Sequence, residues 1–264
     1  MTATAQAPEL VDVLANRRWL HRTRPFHHVV ARDVFTERFY TELAGATSDL
    51  LAAGLSDAPS SGRFSRGMTG YDAYGLGITH DLGGPFSLFL SPQWRDVLSD
   101  QFAVGRTPYV FAGAHHHRPG GRTGFLHNDY NPVWFPRAAE GDERLQLPDP
   151  SRCDFKTGAG TLSEDEKVET IRGAVVIYYL LNDGWQPGDG GETGLFASGT
   201  DDPDAPAGRC PPLNNSLVAF ECTPFSFHAF LANQRPRTSI IMWVHRTVDE
   251  AYEKYGADQV ERWQ

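Results

Sequence analysis

The sequence predicts a mainly β domain with flanking helices, an α+β arrangement in which a sheet-built core is buttressed by helices on one side. Three observations carry this. Apolar residues recur at helical spacing early in the chain, and the pattern then gives way to short apolar runs. Those runs are rich in β-branched and aromatic residues and are separated by Gly, Pro, Asn and Asp, the punctuation of strands and turns. At 264 residues, with 40% hydrophobic and 12% aromatic content, the chain can bury a packed core, and sheet-built folds of this size commonly form one domain.

Each element follows in order. Residues 1–24 read as a lead-in carrying a basic stretch, "NRRWLHRTR", taken as an exposed entry segment rather than a partner-binding patch. "PFHHVVARDVF" reads as a short strand running into a helix over about 33–53, with Phe35, Phe39, Leu43, Leu50 and Leu51 as its apolar stripe. "SPQWRDVLSDQF" begins a second helix, with Ser91 as N-cap and Pro92 in the first helical position, where a missing N–H costs nothing. Strands are expected at 109–117, 124–130, 173–181, 215–221, 226–232 and 239–246. This divides residues 25–264 into helical support (25–104), a strand core (105–246) and a C-terminal helix (247–264) of one domain. Two segments interrupt the strands: 137–170, polar and charged, and 183–213, crowded with Gly, Pro and Asp but holding Trp185 and Phe196. Their length fits lids better than tight turns.

Bulk properties exclude several functions. A formal net charge of −9 argues against a nucleic-acid partner, whose footprint is a basic stripe. No apolar run approaches the roughly 18 residues that suggest a membrane span, and the first residues lack the basic-then-apolar pattern of a signal peptide. Cys153, Cys210 and Cys222 are odd in number and widely spaced, which fits a reducing cytoplasm better than a disulfide framework. The expected location is cytoplasmic.

The chemistry starts at "GFLHNDYNP". His127 and Asp129 stand two apart, a weak signal alone among ten histidines. A two-histidine, one-carboxylate site needs a distant second histidine on a neighbouring strand, and His228 in "TPFSFHAFLANQRPRTS" is the best candidate. Two imidazoles and a carboxylate on one face of an octahedral metal leave three positions open, the arrangement of non-haem Fe(II) oxygenases. Arg237, nine residues after His228, could grip the far carboxylate of a bidentate 2-oxo acid, because a guanidinium matches a carboxylate with two parallel hydrogen bonds.

Four pieces in this order, "HND" (127–129), "IYYLLNDGW" (177–185), "GGETGLF" (190–196) and "FHAF…RTS" (227–239), resemble the Fe(II)/2-oxoglutarate-dependent dioxygenases, specifically the prolyl-4-hydroxylase-like branch. The resemblance covers about 105–246. It implies a double-stranded β-helix (jelly roll) core and a hydroxylase that uses Fe(II), 2-oxoglutarate and O2. It also implies that His127, Asp129 and His228 are the catalytic iron ligands and that Arg237 partners the 2-oxoglutarate C5 carboxylate, with Ser239 two residues on. Tyr179 matches the tyrosine that helps hold that carboxylate, although "YYLLND" carries one residue more than the usual pattern and makes Tyr178 the alternate. Arg118 stands where many relatives place a second tyrosine, and is the other candidate for the cosubstrate pocket. Halogenating relatives have a small residue at the position of Asp129, so a carboxylate there implies hydroxylation or desaturation.

Other readings stand beside this one. "HHH" (115–117) looks metal-like, but strand alternation sends His115 and His117 to one face and His116 to the other, so structural or pocket-lining roles are expected. Trp134, Phe135, Trp185 and Trp243 are expected mostly in the core. A zinc hydrolase could use the same three ligands, but leaves Arg237 and "GGET" unexplained; an inactive binding protein on the same barrel would not need intact ligands. The substrate is expected to be a small molecule such as a free amino acid or biosynthetic intermediate, because the long segments would enclose a pocket; a proline in a protein is the alternative.

Overall fold

The computed structural model describes residues 7–59, 62–67 and 71–263; the expected lead-in's first six residues and position 264 lie outside these. Helix α1 (Leu10–Val13) buries Leu10 and Val13 in the main core. Strand β1 (Leu20–Arg22) pairs antiparallel with β2 (His28–Ala31), so three residues of the lead-in's basic stretch, all of them exposed, form an edge of the sheet. Helix α2 (Glu37–Ala52) starts later than the apolar stripe suggests, because Thr36 caps it, its side chain accepting the Phe39 N–H. Strand β3 (Tyr74–Gly77) and a 3-10 helix over Gly84–Leu90 follow. Helix α3 (Pro92–Phe102) begins as expected: Ser91 Oγ accepts the Trp94 N–H at 3.2 Å, and Pro92 opens the first turn.

The strand region then runs β4 (Val110–His117), β5 (Pro132–Pro136), β6 (Lys167–Tyr179), β7 (Thr193–Leu195), β8 (Gly208–Cys210), β9 (Ser216–Glu221), β10 (His228–Phe230) and β11 (Arg237–Thr247), before helix α4 (Val248–Tyr255). Among the described residues the larger sheet has the order β1-β2-β9-β6-β11-β4-β3, with β5 also on β6, and the smaller sheet is β10-β7-β8. All of the paired strands are antiparallel. This is the expected mainly β architecture with a jelly-roll core.

Side-chain alternation gives the larger sheet two different faces. On one, Tyr178, Ile240 and Met242 join Phe35, Phe89 and Trp94 from the helical layer in the main core. On the other, Val175, Ile177, Tyr179 and Ile241 meet Leu195 and Cys210 of the smaller sheet. The candidate site residues Tyr179, Arg237 and Ser239 lie on this second face.

Two departures from the expected strands have clear causes. Residues 124–130 form only an isolated bridge, His127 to His228, because Asp129 takes a left-handed backbone (φ 58°) that ends any ladder. β6 begins well before Gly173, which sits at the irregularity where the strand's edge passes from β9 to β5. A Cβ at Gly173 would lie 2.5 Å from Val104 Cγ1, so only glycine fits that close approach.

The two interrupting segments are built into the domain rather than free flaps. Leu145 is buried in the main core, the Gln146 N–H donates to Pro108 O, and Gln146 O accepts the Val110 N–H. Arg137 donates to Asp165 O and Lys167 O, closing the first segment's ends together. The second contributes β7 and β8, with Trp185 Nε1 donating to Gly190 O at 2.8 Å.

The C-terminal helix is fastened by a buried cation. Arg246, fully buried, donates to Gly173 O and to Glu221 Oε1, which also accepts from Lys254 and Tyr255. Glu221→Gln takes away the nearer carboxylate while Glu250 Oε1 stays 3.8 Å from Arg246 Nη1, so it is expected to lower stability by about 2 kcal/mol, within the range of a hydrogen bond to a charged group. Urea denaturation checks this; a change within about 0.5 kcal/mol, the usual range for plain surface substitutions, would show that Arg246 is satisfied without Glu221.

Candidate active site

The single bridge between 127 and 228 is what assembles the site: the His127 N–H donates to His228 O at 3.1 Å and the His228 N–H to His127 O at 2.8 Å. The two imidazoles therefore sit side by side, with ring centroids 4.3 Å apart. The left-handed turn at Asp129 swings its carboxylate back toward them. His127 Nε2 lies 3.8 Å from Asp129 Oδ1 and His228 Nε2 lies 3.5 Å from Asp129 Oδ2. One donor atom from each residue lies within 4.8 Å of the others.

The chemistry of the set fits a divalent metal. Nδ1 of His127 is 3.0 Å from Phe125 O and Nδ1 of His228 is 3.1 Å from Ser226 O. Donating the Nδ1 proton to a carbonyl leaves the lone pair on Nε2, the nitrogen that faces Asp129. Burial holds the His127 imidazole down at about 4, with His228 beside it adding to the effect, so it stays neutral near pH 7. Burial alone would push Asp129 up, but the Arg172 guanidinium beside it outweighs burial, and the carboxyl lies well below the usual range. Asp129 is thus an anion in a buried place.

A second cluster lies along the same sheet face. Arg237 is 3% exposed and has no carboxylate partner among the described residues; its Nε is buried without a hydrogen bond. Its Nη2 donates to Thr193 Oγ1 at 3.3 Å, Thr193 Oγ1 is 2.6 Å from the Tyr179 hydroxyl, and the guanidinium lies 5.2 Å over the Tyr179 ring. Ser239 Oγ is also buried and unpartnered. Pairing register puts Ser239 opposite both Tyr179 and His115, and Arg237 opposite His117, so all five share one face. A buried guanidinium without a counter-charge is costly; together with a phenol and two hydroxyls it has the donors a carboxylate could accept from. Burial pushes Tyr179 up to about 12, so it remains a neutral phenol able to donate.

The face assignment separates the two tyrosines: Tyr178 points into the main core, where its hydroxyl donates to Asn215 Oδ1, and Tyr179 faces Arg237. Arg118 does not join this cluster. It is exposed, and its guanidinium lies 4.8 Å over Tyr74, toward the helical face of the sheet. That is the direction alternation sends position 118, one residue past the inward His117.

The histidine triple divides as expected. His116 pairs with Thr238 Oγ1 on the helical face, His117 stacks on Phe230 at 3.8 Å, and burial holds His115 down at about 4. None of the three belongs to the metal cluster. Sequence reasoning missed Thr193, although it lies inside "GGET", and missed the partners of Asp129. Those are Arg172, whose signal was a charge at an inward position of an apolar strand, and Trp243, whose Nε1 donates to Asp129 Oδ2 at 2.8 Å. The double glycine does allow close approach: a Cβ at Gly190 would fall 1.9 Å from Ala232 O.

Comparison with known proteins bears on the strand region and the fold. Residues 151–245 match the 2OG-Fe(II) oxygenase superfamily, a stretch that includes His228 and Arg237 but not His127 or Asp129. No curated protein matches the chain in sequence. In fold the chain is similar to a Pseudomonas putida prolyl-4-hydroxylase, with a TM-score of 0.50 and 18% identity over 83% of this chain and 92% of that one. It is also similar to a Trichoplax adhaerens prolyl hydroxylase solved with a hypoxia inducible factor oxygen degradation domain peptide fragment, with a TM-score of 0.51 and 12% identity over 86% of each chain. At these identities the likeness speaks for the fold. The matched region, the jelly-roll architecture and the His127–Asp129–His228 cluster coincide in one chain, which over residues 151–245 is similar to the 2OG-Fe(II) oxygenase superfamily and in fold is similar to the prolyl hydroxylases.

Proposed function

We propose that this dioxygenase hydroxylates an unactivated C–H bond, with His127, Asp129 and His228 holding Fe(II) and Arg237, Thr193, Tyr179 and Ser239 holding the far carboxylate of 2-oxoglutarate. The observation that carries it is the pairing of the two clusters on one sheet face: a three-donor set beside a buried arginine that has no counter-anion among the described residues. Iron, 2-oxoglutarate and O2 together supply the oxidising power, and the cosubstrate leaves as succinate and CO2. The chain's own residues orient and enclose. The Asp129 carboxylate supplies the negative donor, the two Nε2 lone pairs complete the set, and the Arg237 fork fixes the cosubstrate's direction by charge-assisted hydrogen bonds. Neutral His115, the Tyr179 phenol and the Phe230 ring against His117 line the walls without offering a competing negative ligand.

For the substrate we favour a proline within a peptide over a free small molecule. The preference for a small molecule depends on long segments closing as lids, and both segments are hydrogen-bonded into the domain. An exposed aromatic stands beside the cluster: Phe125 is 63% exposed and its ring centroid lies 5.1 Å from that of His127. An exposed aromatic there suits a ring presented by a longer chain, and prolyl hydroxylases share this fold. Zinc hydrolysis has no use for the Arg237 cradle. Incubation with 2-oxoglutarate and a panel of proline-containing peptides and free amino acids, read by succinate and by a 16 Da gain in the product, tests the choice. Hydroxylated peptides with no turnover of free amino acids are expected. Turnover of free amino acids alone would restore the small-molecule reading.

A further inference from the structure

Asp129 is held by more than its own loop. Its Oδ1 accepts from Arg172 Nη1 and its Oδ2 from Trp243 Nε1, and the side chains of Asp129 and Arg172 are 6% and 7% exposed. Each carboxylate oxygen has two lone pairs, so both remain able to meet a metal. The Arg172 guanidinium carbon lies 4.3 Å from the Trp243 ring and 5.2 Å from the Trp263 ring, an arginine held by two indoles. Trp263 belongs to the segment after α4, and that segment is laced to the chain immediately beyond Asp129. Trp263 Nε1 donates to Pro132 O at 2.6 Å, Asn131 Nδ2 to Glu261 O at 2.6 Å, and the Glu261 N–H to Tyr130 O at 3.2 Å. Arg262 pairs with Glu169 on β6, and the Arg172 N–H donates to Asn131 O.

We infer that Arg172 and Trp263 are positioning residues for the metal ligand Asp129, so that the 261–263 segment sets metal affinity although it touches no metal donor. The inference rests on Asp129 being a ligand, as proposed above. Asp129 needs such support: its backbone is left-handed, and its loop joins the sheet through the bridge at His127 and single hydrogen bonds such as Arg172 N–H to Asn131 O rather than a continuous ladder, so backbone pairing does not fix the direction of the carboxylate. The guanidinium repels a dication, so any gain in affinity from Arg172 comes from orientation. Trp263 carries no charge, and its removal therefore changes geometry without changing the field at the site.

The test is titration of the metal-free full chain with Mn(II) by calorimetry, alongside the melting temperature and the Michaelis constant for 2-oxoglutarate. Outer partners of metal ligands typically contribute about 10- to 100-fold in affinity, and a loss in this range is expected for Trp263→Ala. Trp263→Phe, which keeps an aromatic face, is expected to recover most of the loss. Arg172→Lys keeps the charge but loses the planar fork and is expected to weaken Mn(II) binding as Trp263→Ala does; it carries the test should Trp263→Ala fail to fold. The Michaelis constant is expected to hold, because the Arg237 cradle is separate, whereas general loosening of the fold would move both. Wild-type affinity in folded Trp263→Ala or Arg172→Lys overturns the inference. Failure of the wild type to bind Mn(II) would instead overturn the ligand reading on which it stands.

Discussion

His228→Ala is expected to abolish 2-oxoglutarate turnover and to weaken Mn(II) binding by more than about 100-fold, beyond the loss typical of an outer partner. One of three protein donors disappears, and the remaining pair, His127 Nε2 and Asp129 Oδ1, offers only two adjacent positions. His228 is a cleaner probe than Asp129. Removing the carboxylate would strand Arg172 as an unpaired buried cation, and that alone can cost about 3–5 kcal/mol of stability. His228 is neighboured by Phe220, with ring centroids 4.7 Å apart, and its loss leaves a small cavity rather than a bare charge. The melting temperature should therefore fall modestly while binding collapses. Succinate formation and Mn(II) calorimetry on one preparation decide the matter, and full turnover in the variant would remove His228 from the ligand set.

Arg237→Lys is expected to raise the Michaelis constant for 2-oxoglutarate by about 10- to 100-fold, since hydrogen bonds to charged groups contribute about 1.5–3 kcal/mol each and an ammonium cannot reproduce the fork. Mn(II) affinity should stay near wild type, because Arg237 lies outside the three-donor cluster. This separation of effects distinguishes a cosubstrate anchor from a residue that merely supports the fold. The wild-type guanidinium also has a structural consequence: it is buried, with Thr193 as its side-chain hydrogen-bond partner, so an anion in the cradle should stabilise the protein. Adding 2-oxoglutarate without metal should raise the melting temperature of the wild type more than that of Arg237→Lys. An unchanged Michaelis constant would move the anchor out of this pocket altogether, and Arg118, exposed on the other side of the sheet, could not replace it.

The local code of the chain determined a good deal. The Ser91–Pro92 helix start, the apolar runs that became β4, β6, β9 and β11, and the alternation that parts His116 from its neighbours are all short-range properties, set by capping, β-propensity and a side-chain period of two. The residue types at 127, 129, 228 and 237 named a chemistry because few reactions need two imidazoles, a carboxylate and a distant guanidinium in that order. What only the tertiary structure decided depends on partners far apart in sequence. Tyr178 and Tyr179 look alike until pairing with β11 and β9 sends one toward Phe35 and the other toward Arg237. The left-handed turn at Asp129 replaced an expected strand because two backbone bonds to His228 and the grip of Arg172 and Trp243 outweigh local strand preference. Nothing in the pattern around Trp263 could join it to a carboxylate 134 residues earlier, because that link passes through the guanidinium of Arg172, and a stacked contact leaves no periodic trace in sequence.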